Sequence, residues 1–356
     1  MNKKSREFLY RYLNSSSPVG HEQVGQQVWL DYVEQFIDTK LSDAYGSVVG
    51  IINPKATYKV VIEAHADEIS WLVSRITEDG YIYVVRNGGS DHQIAPSMRV
   101  NVYGDQGVVK GVFGWPAIHV RHDEKELTPT VKNLFVDVGA ESKKEVEAAG
   151  VHIGSVITME GELFKLGKNY LTGRALDDRI GGFIIAEVAR KIKDEGDVLP
   201  FGLYLVNAVQ EEVGCRGAAM ISRRLKPDVA LCVDVAHDTK SPLYKPEHGD
   251  LKCGLGPVLS YGAPVQNNLL RLIETTAHKA KIKFQRVAAS GSTGTDTDSF
   301  AYASEGIASA LISLPLKYMH TTVETLHKDD VESTIELLYH TLLNIKNGQD
   351  FRYLKL

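Results

Sequence analysis

The sequence predicts an α/β fold: a mixed, largely parallel sheet flanked by helices, with a small β-barrel or sandwich inserted into it. Three observations lead there. Beyond Gly167, compact apolar runs alternate with helical segments, the order that a parallel sheet covered on both faces requires. A matching apolar run, Lys59 to Ala64, lies far upstream. Between them, from about Ile69 to about Lys165, short β-rich runs are broken by Gly, Asp and Pro, the spacing of a small closed or sandwiched sheet. The α/β part is therefore expected to be discontinuous, residues 1–68 and 166–356, with residues 69–165 as an inserted β domain.

Val24, Val28, Tyr32 and Phe36 recur at every fourth position and predict a helix with one apolar stripe against the sheet. Lys59 to Ala64 predicts a short buried strand. In the inserted segment the expected strands are Ser70 to Ile76, Tyr81 to Val85, Arg99 to Tyr103, Val108 to Phe113, Leu134 to Val138 and Val156 to Met159, with one helix from Ser142 to Ala149. After Gly167 come a helix from Asp178 to Lys193, a strand from Phe201 to Val209, a helix from Arg216 to Leu225 and a strand from Val229 to Val233. A helix from Val265 to Ala280, a strand from Ala308 to Leu314 and a helix from Val331 to Lys346 complete the alternation.

With 356 residues and 43% hydrophobic content, the chain can bury a large core. Lys and Arg number 40 against 45 Asp and Glu, a net charge of -5 with no long basic run, which argues against nucleic acid as a partner. No apolar segment reaches the about 20 residues of a membrane span. Met1 to Arg6 is polar and lacks a signal-peptide pattern. Cys215, Cys232 and Cys253 are odd in number and form no C-x-x-C pair, which fits a reducing compartment. A cytoplasmic location is the expectation.

Charged residues gather where the apolar runs end. His65, Asp67 and Glu68 follow Lys59 to Ala64; Glu211 and Glu212 follow Phe201 to Val209; Asp234 follows Val229 to Val233; His320 lies beyond Ala310 to Leu314. Asp177 and Asp178 open a helical segment. Each has an ordinary structural reading, such as a helix cap for Asp177-Asp178 or a turn-opening role for Asp234. Their conjunction points elsewhere, because an open α/β sheet places its site at the carboxyl ends of its strands. Two divalent ions about 3.5–4 Å apart need one bridging carboxylate and His or carboxylate ligands on either side. His65, Asp177 and Asp234 would hold one ion, and Asp177, Glu212 and His320 the other. Glu211 is then free to act as general base toward a water shared by the ions, and Asp67 to accept the second N–H of His65. A helix starting immediately after a bridging Asp177 would strain the Asp177-Asp178 peptide, for which a cis bond costing ~3–4 kcal/mol is expected.

The motifs H-x-D-E at 65–68, A-L-D-D-R at 175–179, E-E-x-G-x-R-G-A at 211–218, V-D-V at 233–235 and Y-M-H at 318–320 resemble those of the tetrahedral aminopeptidases, cocatalytic metallopeptidases that include glutamyl and deblocking enzymes. D-V-G-A at 137–140 and G-V-x-x-G at 150–154 resemble the family's inserted dimerisation domain. The resemblance spans nearly the whole chain and implies a zinc-peptidase-like fold and an exopeptidase that releases the N-terminal residue of short peptides. It implies His65, Asp177, Glu212, Asp234 and His320 as metal ligands, Glu211 as catalytic base and Asp67 as the residue orienting His65. His and carboxylate ligands of this kind suit Zn or Co, and also Mn, while the resemblance implies dimers built into a dodecamer. Gly294, Thr295 and Asp296 resemble a loop near the substrate entrance, although a flexible turn is their ordinary reading. Ala66, Ser70, Ser155 and Cys215 depart from the family's usual residues without removing a ligand.

Other functions are open to the same residues. A carboxypeptidase or amide deacylase uses similar ligands. A glucanase would need two carboxyls flanking one bond without metal, which adjacent Glu211 and Glu212 do not suit if they lie on an extended strand. A non-catalytic binding subunit would be expected to have lost a ligand.

Overall fold

The computed structural model describes residues 1–121 and 127–354. Its centre is an eight-stranded sheet in the order Thr39–Ser42, Val48–Ile52, Gly202–Ala208, Lys59–His65, Val229–His237, Ala308–Leu316, Val258–Gly262, Gln285–Ala289. Lys59–His65 pairs in parallel with both Gly202–Ala208 and Val229–His237, and Ala308–Leu316 continues the parallel run. Antiparallel pairing appears toward the edges, at Val48–Ile52 on one side and Val258–Gly262 on the other. Four neighbouring strands therefore end on the same side of the sheet, where His65, Glu211, Asp234 and His320 lie.

The continuous apolar runs have a physical cause, since helices cover both faces of these strands. Every residue of Gly202–Ala208 is buried. Its one polar side chain, Asn207, donates to Tyr12 Oη at 3.0 Å and Gln26 Oε1 at 2.8 Å. One face packs on Leu176–Glu195 through Phe183, Ile184 and Val188, extended by Phe8 and Trp29. The other packs on Arg216–Leu225 and Asp296–Ala301 through Ile221 and Phe300.

The inserted segment forms a closed six-stranded antiparallel barrel in the order Ser70–Ile76, Ile82–Asn87, Phe135–Asp137, Gly107–Phe113, Arg99–Gly104, Val156–Met159, a barrel rather than a sandwich. Trp71 and Phe113 meet edge to face in its core, 5.6 Å between centroids. Phe164–Leu166 joins Tyr170–Gly173 and Glu324–His327 in a separate three-stranded sheet.

The helix expected around Val24 spans Gln23–Val33, but Val24 itself is 57% exposed and Phe36 lies beyond the end; Val28, Trp29, Tyr32 and Val33 form the inner stripe. The edge strands Thr39–Ser42 and Gln285–Ala289, both rich in polar residues, escaped the periodicity reading. The Asp177-Asp178 peptide is trans, contrary to expectation. The chain makes its bend through torsions instead: Ala175 has φ +55°, and Asp177 and Asp178 hold non-helical angles before the helix proper starts. Among the described residues no helix is long and apolar enough to cross a membrane.

Candidate metal centre and active-site cavity

Asp177 stands between the two histidines. Its Oδ1 lies 3.3 Å from His65 Nε2 and its Oδ2 3.3 Å from His320 Nε2. Glu212 Oε1 is 3.3 Å from His320 Nε2, and ligand atoms of His65, Asp177 and Glu212 all lie within 4.8 Å of one another. Both imidazoles are held by their far nitrogens. His320 Nδ1 faces the Gly89 carbonyl at 3.2 Å, and His65 Nδ1 faces the Asp67 carbonyl at 3.2 Å. With Nδ1–H donating in each case, both Nε2 atoms face Asp177, and each would offer its lone pair to a cation bound there.

The backbone builds this cluster with polar clamps. Glu211 and Glu212 lie on a 3₁₀ turn, Glu211–Val213, entered through Gln210 at φ +58°, and not on the extended strand expected for them. Asp67 secures that turn: its two carboxylate oxygens accept the amide N–H groups of Glu211 and Glu212 at 3.0 and 3.1 Å. The Asp67 carboxylate is farther from His65 Nδ1, at 3.5 Å, than the Asp67 carbonyl is. A buried Glu324, which no sequence motif marks, accepts from the amides of Leu176, Asp177 and His320 at 2.7, 3.1 and 2.7 Å. Gly89, in the loop leaving a barrel strand, passes so close to the His320 ring that an added Cβ would collide with it.

Charge here is unbalanced. Burial opposes protonation of His320, yet Asp177 and Glu212 beside it raise its pKa to about 11. Burial raises Glu211 to about 8 despite His65 nearby, and pushes Asp234 well above the ordinary carboxylate range. Glu68 engages the arginines in this region, through an ion pair with Arg174 and a 3.9 Å approach to Arg179. Several buried carboxylates beside two imidazoles, with no paired lysine or arginine among the described residues, are a donor set that suits a divalent cation.

Asp234 lines a large cavity that opens beside Asp177, Glu212 and His320, with its Oδ1 turned to the Val235 amide at 2.7 Å. It is not part of the tight His65, Asp177, Glu212 group. Glu211 Oε2 lies 3.9 Å from His65 Nε2, and Glu211 Oε1 accepts the Cys215 thiol at 3.4 Å. Gly294 and Thr295 line the cavity, whereas Asp296 is withdrawn below it, only 2% exposed. Asp296 and the fully buried Glu63 find no donor. Burial raises Glu63 to about 8.

A parallel-core sheet carrying a two-histidine, multi-carboxylate cluster at its strand ends defines the chain as a hydrolase of the metallopeptidase type. The family model described as M42 glutamyl aminopeptidase matches residues 46–337, and the chain belongs to this aminopeptidase family. It is 31% identical over 346 residues to lysyl aminopeptidase of Pyrococcus furiosus, covering 96% of this chain and 97% of that protein. The crystal structure of a TET aminopeptidase from a marine sediment Thaumarchaeota archaeon superposes with a TM-score of 0.90 at 30% identity, covering 96% of this chain and 98% of that one. A structure of the Pyrococcus horikoshii TET1 peptidase, described as able to assemble into a tetrahedron or a large octahedral shell, gives a TM-score of 0.83 at 28% identity over 94% of this chain and 98% of that one.

Proposed function

We propose that this aminopeptidase is binuclear and removes the N-terminal residue of short peptides. The observation that carries the reading is Asp177, which directs one oxygen toward each of two histidines whose Nε2 atoms face it. His65, Asp177 and Asp234 would hold one ion, and Asp177, Glu212 and His320 the other, with Zn, Co or Mn suited to such donors. Bound, the ions would supply Lewis acidity for a water and a scissile carbonyl. Glu211 would take the water's proton and return it to the leaving amine. Asp67 keeps the Glu211–Val213 turn in place through its two amide bonds. Gly294 and Thr295 border the path of the bound peptide.

The β-barrel, residues 69–165 in this reading, is the unit through which copies associate. Its outer strands expose Val85, Val108 and Val112, and the Pyrococcus horikoshii TET1 peptidase, of similar fold, is described as able to assemble into a tetrahedron or a large octahedral shell.

The test is to strip the protein with a chelator, restore each metal in turn, and measure bound ions per chain alongside cleavage of aminoacyl anilides and their N-acetylated forms. Two ions and a requirement for a free amine are expected. Fewer than one ion, or preference for blocked amines, would remove this reading in favour of a binding subunit or a deacylase.

A further inference from the structure

The metal cluster opens into one large cavity of about 940 Å³, wide enough for the first residues of a peptide. Its charged lining is one-sided. Glu211 and Asp298 remain there once Asp177, Glu212 and Asp234 are assigned to metal, and no lysine or arginine among the described residues lines it. Asp298 is fixed: its carboxylate accepts from Ser292 Oγ at 2.5 Å, Thr293 Oγ1 at 2.8 Å and the Thr293 amide at 3.0 Å. Two histidines outside the metal cluster also line the cavity. Burial lowers the pKa of His237, and His248 Nδ1 accepts the Lys245 amide at 2.8 Å. The remaining wall mixes hydroxyls such as Thr239, Ser260 and Ser290 with the apolar Val235, Leu251, Val287 and Met319.

A second crevice beside the cluster contains Arg174, but its volume of about 30 Å³ admits no side chain, and Arg174 is paired with Glu68. An acidic side chain on the first residue of a substrate would thus meet no lysine or arginine among the described residues of the large cavity, only carboxylates, imidazoles, neutral hydroxyls and apolar surface. Unpaired charge in such a place is costly.

Building on the aminopeptidase reading above, we infer that this enzyme rejects peptides beginning with Asp or Glu and takes those beginning with apolar or basic residues, unlike the glutamyl type for which its family is described. The wall supplies apolar contact, and the residual carboxylates favour a cationic side chain over an anionic one.

The experiment compares kcat/KM for Leu, Lys, Glu and Asp p-nitroanilides with the metal-loaded enzyme, then repeats the series with His237→Arg. Leu and Lys substrates are expected to exceed Glu and Asp substrates by about tenfold or more. His237→Arg, checked for folding by circular dichroism, should raise the Glu-to-Leu ratio. A wild-type enzyme that cleaves the Glu substrate as well as the Leu substrate would overturn this specificity while leaving the aminopeptidase reading intact. No cleavage of any anilide with any metal would sink both. An unchanged ratio in folded His237→Arg would overturn the cavity's role in selection.

Discussion

The central sheet and the barrel bury their strands differently. Gly202–Ala208 is buried at every position, and Val229–His237 at all but its last two. In the barrel, Gly107–Phe113 buries only Phe113, while Ile82–Asn87 alternates buried and half-buried residues before turning outward. A strand enclosed on both faces can carry carboxylates and imidazoles at its end and hold them dry. A strand with one wet face can instead present apolar side chains to a partner. The molecule thus places its chemistry where burial is greatest and its proposed association surface where burial is least.

Four substitutions would break or sharpen this contrast. The largest effect is expected from Glu211→Gln, which keeps the side chain's size and shape but removes the proton acceptor. kcat should fall by about 10²–10⁴-fold with metal content unchanged by elemental analysis, and near-normal turnover would take Glu211 out of its role. Phe183→Ala deletes a fully buried ring that stacks against Phe8 at 5.7 Å. A cost of about 3–5 kcal/mol should appear as a lowered denaturation midpoint; a smaller loss would mean that this face of the sheet collapses readily around the gap. Glu324→Ala orphans three amides that position Asp177 and His320. Metal affinity is expected to drop about 10–100-fold in competition with a chelator, with partial recovery in Glu324→Gln. The smallest effect on the fold belongs to Val108→Lys on the barrel exterior, where Val108 is 52% exposed. Stability should change by about 0.5 kcal/mol or less, yet light scattering should register a smaller assembly; an unchanged mass would move the contact surface off this strand.

The same contrast accounts for what could be read in the chain beforehand. Lys59–His65, Gly202–Ala208 and Val229–His237 were legible because a strand covered on both sides cannot disguise its apolar content. Gln285–Ala289 was not, since this edge strand buries nothing fully. Val24 misled for a related reason: a spacing of four drifts around a helix, and the inward face passes through Trp29 and Val33. The proposed ligands were legible because acids and histidines at the ends of buried strands have few structural reasons to gather there. Glu324 was hidden because it acts on backbone amides as far as 148 positions away in the chain, and such a clamp leaves no local pattern. The turn that carries Glu211 and Glu212 was equally obscure, because left-handed torsions at Gln210 and Cys215 belong to residues that rarely announce them.

Glu324 also bears on the order of events during folding. The two segments it fastens, around Asp177 and around His320, lie far apart in the chain and meet on one carboxylate. Neither segment can lock before the other has docked, so this corner of the molecule closes in a single concerted step.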